Sequence, residues 1–84
     1  MSQAEFDKAA EDVKVLNKKL SNDDLLKLYG LYKQATIGDN NTNKPSMIDL
    51  KGKAKWEAWD KNKGKTKEVA QQEYVALVRE FQTK

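Results

Sequence analysis

Cysteine and histidine are both absent from this chain of 84 residues. Without cysteine the protein can form neither a disulfide nor a thiolate metal site. Without histidine it also lacks the commonest general base and a frequent ligand of transition metals. The remaining acidic pairs, such as Glu11-Asp12, are typical of a solvated helix surface. We therefore expect no enzymatic activity, no metal site and no cofactor.

Long apolar runs are also missing. No stretch approaches the length of a membrane span, and residues 1–7 do not contain the apolar segment of a signal peptide. Together with the absence of cysteine, this predicts a cytoplasmic protein. A chain of this length can bury one modest core, so we expect a single domain over residues 1–84. No exposed heptad pattern is present, and we expect a monomer.

Glycine is scarce, and its four occurrences are scattered, so there is no glycine-rich phosphate loop. A phosphate group would have to be bound by lysine side chains and tyrosine hydroxyls. Lysine is abundant: from Lys44 to Lys67, eight lysines stand against three carboxylates, a net charge of +5, while the rest of the chain carries −2. This lysine-rich segment can attract an anion, although an ordinary solvated surface has the same composition.

Four helices and no strands are predicted from the spacing of apolar residues and from capping signals. The helices are expected over residues 2–17, 21–38, 51–62 and 66–84. The residues expected to cap their starts are Ser2, Ser21, Asp49 and Thr66. The first and fourth helices each carry an apolar stripe, so they should pack against each other.

The connection between the second and third helices, residues 37–50, is long for a helical domain. We expect Met47, Ile48 and Leu50 to hold it on the bundle as an ordered crossing loop. Residues 39–43 begin like a calcium-binding loop, but the later positions that require glycine and glutamate hold lysine and leucine. Turn formation explains this run better.

Two segments combine aromatic rings with lysines. In a helix, residues three or four apart share a face. This spacing aligns Tyr29 with Tyr32 and Lys33 in one segment, and Lys51 with Lys55 and Trp59 in the other. Such a surface suits a ligand with an aromatic ring and phosphates, for example a nucleotide, a nucleic acid or coenzyme A. Taken singly, each ring is better explained as a core residue, and each lysine as a solvated side chain; the combination of rings and lysines on shared faces favours a ligand site.

The sequence Tyr-Gly-Leu-Tyr-Lys-Gln-Ala-Thr-Ile-Gly-Asp at residues 29–39, followed by Pro45 and by Lys-Ala-Lys-Trp-Glu-Ala-Trp at residues 53–59, closely resembles the acyl-CoA-binding protein family. The resemblance extends over nearly the whole chain. It implies an all-α, up-down-down-up four-helix bundle with a long ordered loop between helices 2 and 3. It also implies reversible binding, buffering and intracellular transport of medium- and long-chain acyl-CoA esters. The expected partners besides this ligand are acyl-CoA-using enzymes and donor and acceptor membranes, each contacted transiently.

The resemblance implies roles for individual residues. The adenosine ring and its 3′-phosphate would be bound by Tyr29, Tyr32, Lys33 and Lys55. Further contacts with the ligand are expected from Lys14, Lys51 and Tyr74. The acyl chain would lie in a groove that involves Leu25, Leu26 and Ala54. Leu25 stands where methionine is frequent in the family, which leaves the preferred chain length open.

Two interpretations from other functional classes compete with a carrier. The lysines of residues 44–67, beside aromatic faces, would also suit a small nucleic-acid-binding domain. Three carboxylates interrupt these lysines, however, and Arg79 is the sole arginine. A peptide-binding module with an apolar groove would leave the alignment of tyrosines and lysines unexplained. We therefore favour an acyl-CoA carrier and expect no nucleic-acid partner.

Overall fold

The computed structural model describes residues 3–83. Their four α-helices are α1 (Gln3–Leu16), α2 (Asn22–Thr36), α3 (Leu50–Asp60) and α4 (Lys67–Gln82), and a short 3-10 helix, Asn17–Lys19, follows α1. The described part of the chain contains no strand, so the predicted all-α class is confirmed. The predicted cap at Ser2 lies outside the described residues. Between residues 3 and 83 no helix is both long enough and apolar enough to cross a membrane.

The ends of the helices follow from local side-chain chemistry. Ser21, Asp49 and Thr66 each accept a hydrogen bond from the backbone N–H three residues further on, at 3.0–3.1 Å. These bonds satisfy N–H groups that have no partner within the helix. The chain leaves the ends of α2 and α3 through Gly38 and Gly64, whose φ angles of 103° and 97° favour glycine. The predicted caps and stops at these five positions are confirmed.

Hydrogen bonds between α1 and α4 show that the two helices run in parallel. Gln71 donates to Gln3 near the start of α1, and Gln82 donates to Asp12 later in the same helix. The pairs therefore advance along both helices together. This agrees with the predicted packing of α1 against α4.

The ends of α2 and α3 both meet the start of α4. Gln34 Nε2, near the end of α2, donates to Lys65 O at 2.7 Å. Gly64 N, just after α3, donates to Asp39 Oδ1 at 2.9 Å. Consequently α2 and α3 run side by side in one direction and α4 returns in the other, which is the predicted up-down-down-up order.

The main apolar core lies between α1, α2 and α4. Its buried residues are Phe6 and Ala9 from α1, Leu28, Leu31 and Ala35 from α2, and Ala70, Tyr74, Val75, Val78 and Phe81 from α4. Helix α3 contributes none of them, and its one buried side chain is that of Trp59. The third helix therefore rests on α2 instead of sharing the core of the other three.

Polar side chains order the first half of the crossing loop. Asn40 is buried and donates a hydrogen bond to Trp56 O at 3.3 Å, while its Oδ1 accepts one from Thr42 N at 3.0 Å. Trp56 Nε1 in turn donates to Thr42 O at 3.0 Å. The loop is thus tied to α3 by a small hydrogen-bond network, and the asparagine contributes the turn that we predicted for this run.

The prediction that apolar side chains hold this loop on the bundle was wrong. Met47 is 81% exposed, Ile48 91% and Leu50 74%. Met47 and Ile48 occupy the centre of a turn closed by a hydrogen bond from Asp49 N to Ser46 O. Side chains at the tip of a turn point away from the chain segments that it joins, so their apolar character does not place them in the core.

Helices α2 and α3 approach each other closely at Gly30. A methyl group added there would overlap the Ala58 carbonyl and lie 2.9 Å from Asn62 Nδ2. The φ angle of Gly30 is not positive. The position therefore requires glycine for space, not for backbone freedom.

We predict that Gly30→Ala destabilises the fold by about 1–3 kcal/mol, because the added carbon separates the two helices. The direction of the change in the free energy of unfolding is informative, because a glycine-to-alanine change at an exposed position stabilises a helix by up to about 1 kcal/mol. Urea unfolding monitored by circular dichroism measures the effect. Lys27→Ala, at an exposed position of α2, is the matched control and should shift the free energy of unfolding by less than about 0.5 kcal/mol. Unchanged or increased stability of Gly30→Ala would contradict this account.

Candidate functional site

Two lysine side chains that come from different helices lie beside the Tyr29 ring. Lys33 Nζ is 5.8 Å from the ring centroid, and Lys55 Nζ is 5.6 Å from it. Both distances fall within the range of cation–π attraction. Lys33 follows Tyr29 by one turn of α2, whereas Lys55 comes from α3. The two ammonium groups can therefore lie beside the same ring only if α3 packs on α2 in this position.

Trp59 provides a second ring beside Lys33. The Lys33 Nζ lies 5.5 Å from the Trp59 ring centroid. Trp59 is itself buried, and its Nε1 donates to Gly38 O at 2.8 Å. The Lys33 side chain is half-buried as a result, while Lys55 is exposed. Sequence reasoning aligned Trp59 with Lys55 but missed its contact with Lys33, because that contact joins two helices.

A second group of rings lies where α1, α2 and α4 meet. Phe6 stacks on Tyr32 with the centroids 5.6 Å apart, and both contact Tyr74, at 5.1 Å and 5.8 Å. Tyr32 is exposed, whereas the other two rings are buried. Phe6 was not predicted as part of the site. Its position on the apolar stripe of α1, which packs against α4, could have indicated that it lies near Tyr74.

The Tyr74 hydroxyl has a perturbed acidity. Burial, with a smaller contribution from the neighbouring Tyr32, raises the pKa of Tyr74 to about 12. Removal of an ionisable group from water disfavours its charged form, which is the direction expected for a phenol. Tyr74 is therefore neutral near pH 7 and can donate a hydrogen bond to an anionic or carbonyl oxygen.

Two of the predicted ligand residues stand apart from these rings. Lys14 is exposed near the end of α1 and forms an ion pair with Glu11 at 3.2 Å. Lys51 is exposed in the first turn of α3, one turn before Lys55. Within residues 3–83 neither lysine is in contact with the Tyr29 ring, so their roles stay predictions.

A cavity of about 750 Å³ opens between α2, α3 and α4. Part of its wall is apolar, from Leu26, Leu31, Ala54, Ala58 and Leu77. Two of the three residues expected to hold an acyl chain, Leu26 and Ala54, therefore line one cavity, of a size typical for small-molecule ligands. Leu25 lies outside this wall. It is half-buried on α2, one turn before Tyr29.

The carboxylates of residues 3–83 are not clustered as metal ligands. Within the described residues, 3–83, no three acidic side chains are grouped so that they could hold a metal ion. The notable charges of the site are instead the ammonium groups beside Tyr29 and Trp59. This arrangement favours an anionic group with an aromatic or apolar neighbour.

Known proteins with similar sequences come from several organisms. The family model described as "Acyl CoA binding protein" matches residues 3–78. The chain is 59% identical over 78 residues to the "Acyl-CoA-binding protein homolog" of Drosophila melanogaster, which covers 93% of this chain and 91% of that protein. It is 63% identical over 76 residues to the "Acyl-CoA-binding protein homolog 1" of Caenorhabditis elegans, with 90% and 88% covered.

Solved structures show the same fold. The chain resembles the crystal structure of Oryza sativa Acyl-CoA-Binding Protein 2 with a TM-score of 0.93 and 44% identity, over 96% of this chain and 90% of that one. It resembles the crystal structure of ACBP from Moniliophthora perniciosa with a TM-score of 0.92 and 45% identity, over 99% and 82%. The similarity therefore includes the long crossing loop as well as the four helices.

We predict that Tyr74 makes the stability of the fold depend on alkaline pH. The unfolded chain releases the Tyr74 proton near pH 10.0, whereas the folded protein holds it up to about pH 12. The stabilisation is therefore fully present below pH 10.0 and is lost as the pH rises to about 12. Over this range the free energy of unfolding should fall more in the wild type than in Tyr74→Phe, by up to roughly 2 kcal/mol.

Urea unfolding at a series of pH values measures this difference. Comparison with Tyr74→Phe removes every effect of alkaline pH that the two proteins share. Tyr29→Phe is a matched loss of a hydroxyl from a less buried ring. Parallel pH profiles for the wild type and Tyr74→Phe would show that burial does not shift the acidity of Tyr74.

Proposed function

Because this chain belongs to the acyl-CoA-binding protein family, we propose that it reversibly binds acyl-CoA esters with medium and long chains, buffers them and carries them inside the cell. Acyl-CoA-using enzymes and donor or acceptor membranes would be its transient partners. It would act as a cytoplasmic monomer and change no covalent bond of its ligand.

The observation that carries this proposal is the pair of ammonium groups from α2 and α3 beside the Tyr29 ring. The 3′-phosphate of coenzyme A is an anion next to an aromatic base. Two lysines can neutralise such a phosphate with charge-assisted hydrogen bonds, and a tyrosine can stack on or bond to the nucleotide. We assign Tyr29, Tyr32, Lys33 and Lys55 to this part of the ligand.

Further polar contacts would come from α1, α3 and α4. The neutral Tyr74 hydroxyl suits an acceptor oxygen of the pantetheine or phosphate groups. Lys14 and Lys51 are exposed and can move their ammonium groups toward the remaining phosphates. We assign these three residues to additional contacts with the coenzyme.

The acyl chain would lie against Leu25, Leu26 and Ala54. Leu25 is on the Tyr29 side of α2, while Leu26 and Ala54 line the cavity between α2, α3 and α4. A buried chain gains roughly 0.8 kcal/mol for each methylene group removed from water. Tail burial therefore supplies much of the affinity, and the head-group contacts select coenzyme A over other amphiphiles.

Isothermal titration tests the ligand directly. Palmitoyl-CoA is titrated at physiological salt beside free coenzyme A, palmitate and a short single-stranded oligonucleotide. The proposal requires tight binding of the thioester and much weaker binding of the other three. If palmitoyl-CoA does not bind and the oligonucleotide binds in a salt-sensitive manner, the carrier function is refuted and nucleic-acid binding is favoured instead.

We predict that Lys33→Ala and Tyr29→Phe each weaken palmitoyl-CoA binding by roughly 10- to 100-fold, since a hydrogen bond that involves a charged group contributes about 1.5–3 kcal/mol. Lys63→Ala is the matched control, because Lys63 is an exposed lysine in the turn after α3. It should change the affinity less than twofold. Equal losses for all three variants would contradict a localised site. Circular dichroism and thermal unfolding establish that each variant is folded.

A further inference from the structure

The turn at residues 46–49 carries apolar side chains where turns rarely have them. It is closed by a hydrogen bond of 3.0 Å from Asp49 N to Ser46 O, and Ser46 Oγ accepts another from Ile48 N at 3.3 Å. Met47 and Ile48 hold the two central positions. Such positions usually hold glycine, proline, asparagine or aspartate. Neither turn formation nor core packing explains a methionine and an isoleucine that are almost fully exposed.

Leu50, the first residue of α3, extends this apolar surface. It is also largely exposed, and we call Met47, Ile48 and Leu50 together the apolar tip. The intervening Asp49 has a structural task, because its carboxylate accepts the Gly52 N–H at 3.0 Å and caps α3. Three exposed apolar side chains within four residues indicate an interaction site more than ordinary surface composition does.

Lysines flank the apolar tip on both sides in sequence. Lys44 precedes it, and Lys51 and Lys53 follow it, against the single carboxylate of Asp49. The ion pairs among residues 3–83 involve other lysines. The tip is therefore an apolar projection with positive charge around it, on a loop that hydrogen bonds hold against α3.

We propose that the apolar tip inserts into the surface of an anionic phospholipid membrane, with Lys44 and Lys53 at the headgroups. Apolar side chains beside lysines match the interface of such a bilayer, where apolar groups bury shallowly and ammonium groups meet lipid phosphates. The apolar tip would be the surface through which the proposed carrier contacts membranes, so this proposal rests on the proposed function.

A lipid surface fits these residues better than a protein does. A stable protein interface buries about 800 Å² on each partner, which a two-residue turn and one helical residue do not provide. The cores of protein interfaces are also depleted in lysine. A second copy of this chain would bring the same positive charge to the contact and would be repelled.

The position of the tip relates it to the candidate ligand site. Lys55 lies about one and a half turns after Leu50 in α3 and contacts the Tyr29 ring. A membrane contact at the start of α3 would place the ligand site close to the lipid surface. The opposite end of α3 lies about 16 Å away along its axis and offers matched positions for control variants.

Sedimentation with vesicles, performed without acyl-CoA, tests the proposal. The wild type should bind phosphatidylcholine vesicles that contain phosphatidylserine and bind them less as salt is raised. The double variant Met47→Ser/Ile48→Ser should bind at least about tenfold more weakly, a change of about 1.4 kcal/mol. The matched control Ile37→Ser/Val69→Ser alters two partly exposed apolar residues near the other end of α3 and should bind like the wild type.

A second pair of variants tests the charge. Lys44→Gln/Lys53→Gln should weaken binding by about tenfold and reduce its salt dependence. Lys63→Gln/Lys67→Gln removes the same charge near the other end of α3 and should have a smaller effect. Equal losses for the two pairs would overturn the proposed surface, because they would show attraction to net charge alone.

Two further measurements separate this proposal from its alternatives. Titration of Met47→Ser/Ile48→Ser with palmitoyl-CoA in solution should give the wild-type affinity. Failure of the wild type to bind palmitoyl-CoA would refute the proposed function, whereas equal vesicle binding by the wild type and this variant would refute the membrane contact. Sedimentation equilibrium should show a monomer, and a dimer that the variant abolishes would assign the tip to self-association and overturn the proposal.

Discussion

The close approach of α3 to α2 at Gly30 is the constraint on which the candidate site depends. Helix α3 places one side chain, Trp59, in the interior, so apolar burial alone fixes it weakly. The missing side chain at Gly30 allows the Ala58 backbone to lie against α2. That contact brings Lys55, one turn earlier in α3, to the Tyr29 ring. A shift of α3 away from α2 would carry Lys55 away from the Tyr29 ring.

A polar network fixes the ends of the same two helices. Gln34 is fully buried, and its amide nitrogen donates to Asp39 Oδ1 at 2.8 Å and to Lys65 O at 2.7 Å. The pKa of Asp39 is lowered, mainly by the hydrogen bond from Gly64 N and to a smaller extent by the one from Gln34. Its carboxylate is therefore charged near pH 7. A buried polar group that loses its hydrogen-bond partner costs free energy. The observed arrangement of the ends of α2 and α3 is therefore more stable than arrangements that break these bonds. The geometry at Gly30 and the network at Asp39 thus fix α3 at two points.

The sequence could predict the features that depend on neighbouring residues. The caps at Ser21, Asp49 and Thr66 were predictable because each uses a side chain and an N–H group three residues apart. The apolar stripes were predictable because residues three or four apart share one face of a helix, and two such stripes predicted the packing of α1 on α4. The loop was different: Met47 and Ile48 are apolar, but the direction of a side chain at a turn depends on backbone angles that composition does not specify. Their exposure therefore contradicted the expectation.

Contacts between helices were predictable only as possibilities. Periodicity aligned Tyr29 with Lys33, since both are on α2, but it could not bring Lys55 to the same ring. That requires the register between α2 and α3, which depends on the space at Gly30. The contact of Trp59 with Lys33 and the ring group of Phe6, Tyr32 and Tyr74 needed the same three-dimensional information. The acyl-CoA-binding resemblance supplied residue roles that the periodicity alone left open.

The two lysines beside Tyr29 are not equivalent. Lys33 lies against both Tyr29 and Trp59 and is half-buried, whereas Lys55 contacts one ring and is exposed. A side chain already held near its binding position loses less conformational entropy when a ligand binds, and a partly buried charge is screened less by salt. In the proposed site, Lys33 should therefore contribute mainly to affinity. Lys55, with more freedom and more solvent around it, is better suited to attracting the anionic group before the ligand is seated. In the proposed site, the different burial of the two cations would therefore give them different tasks, although both lie beside the same ring.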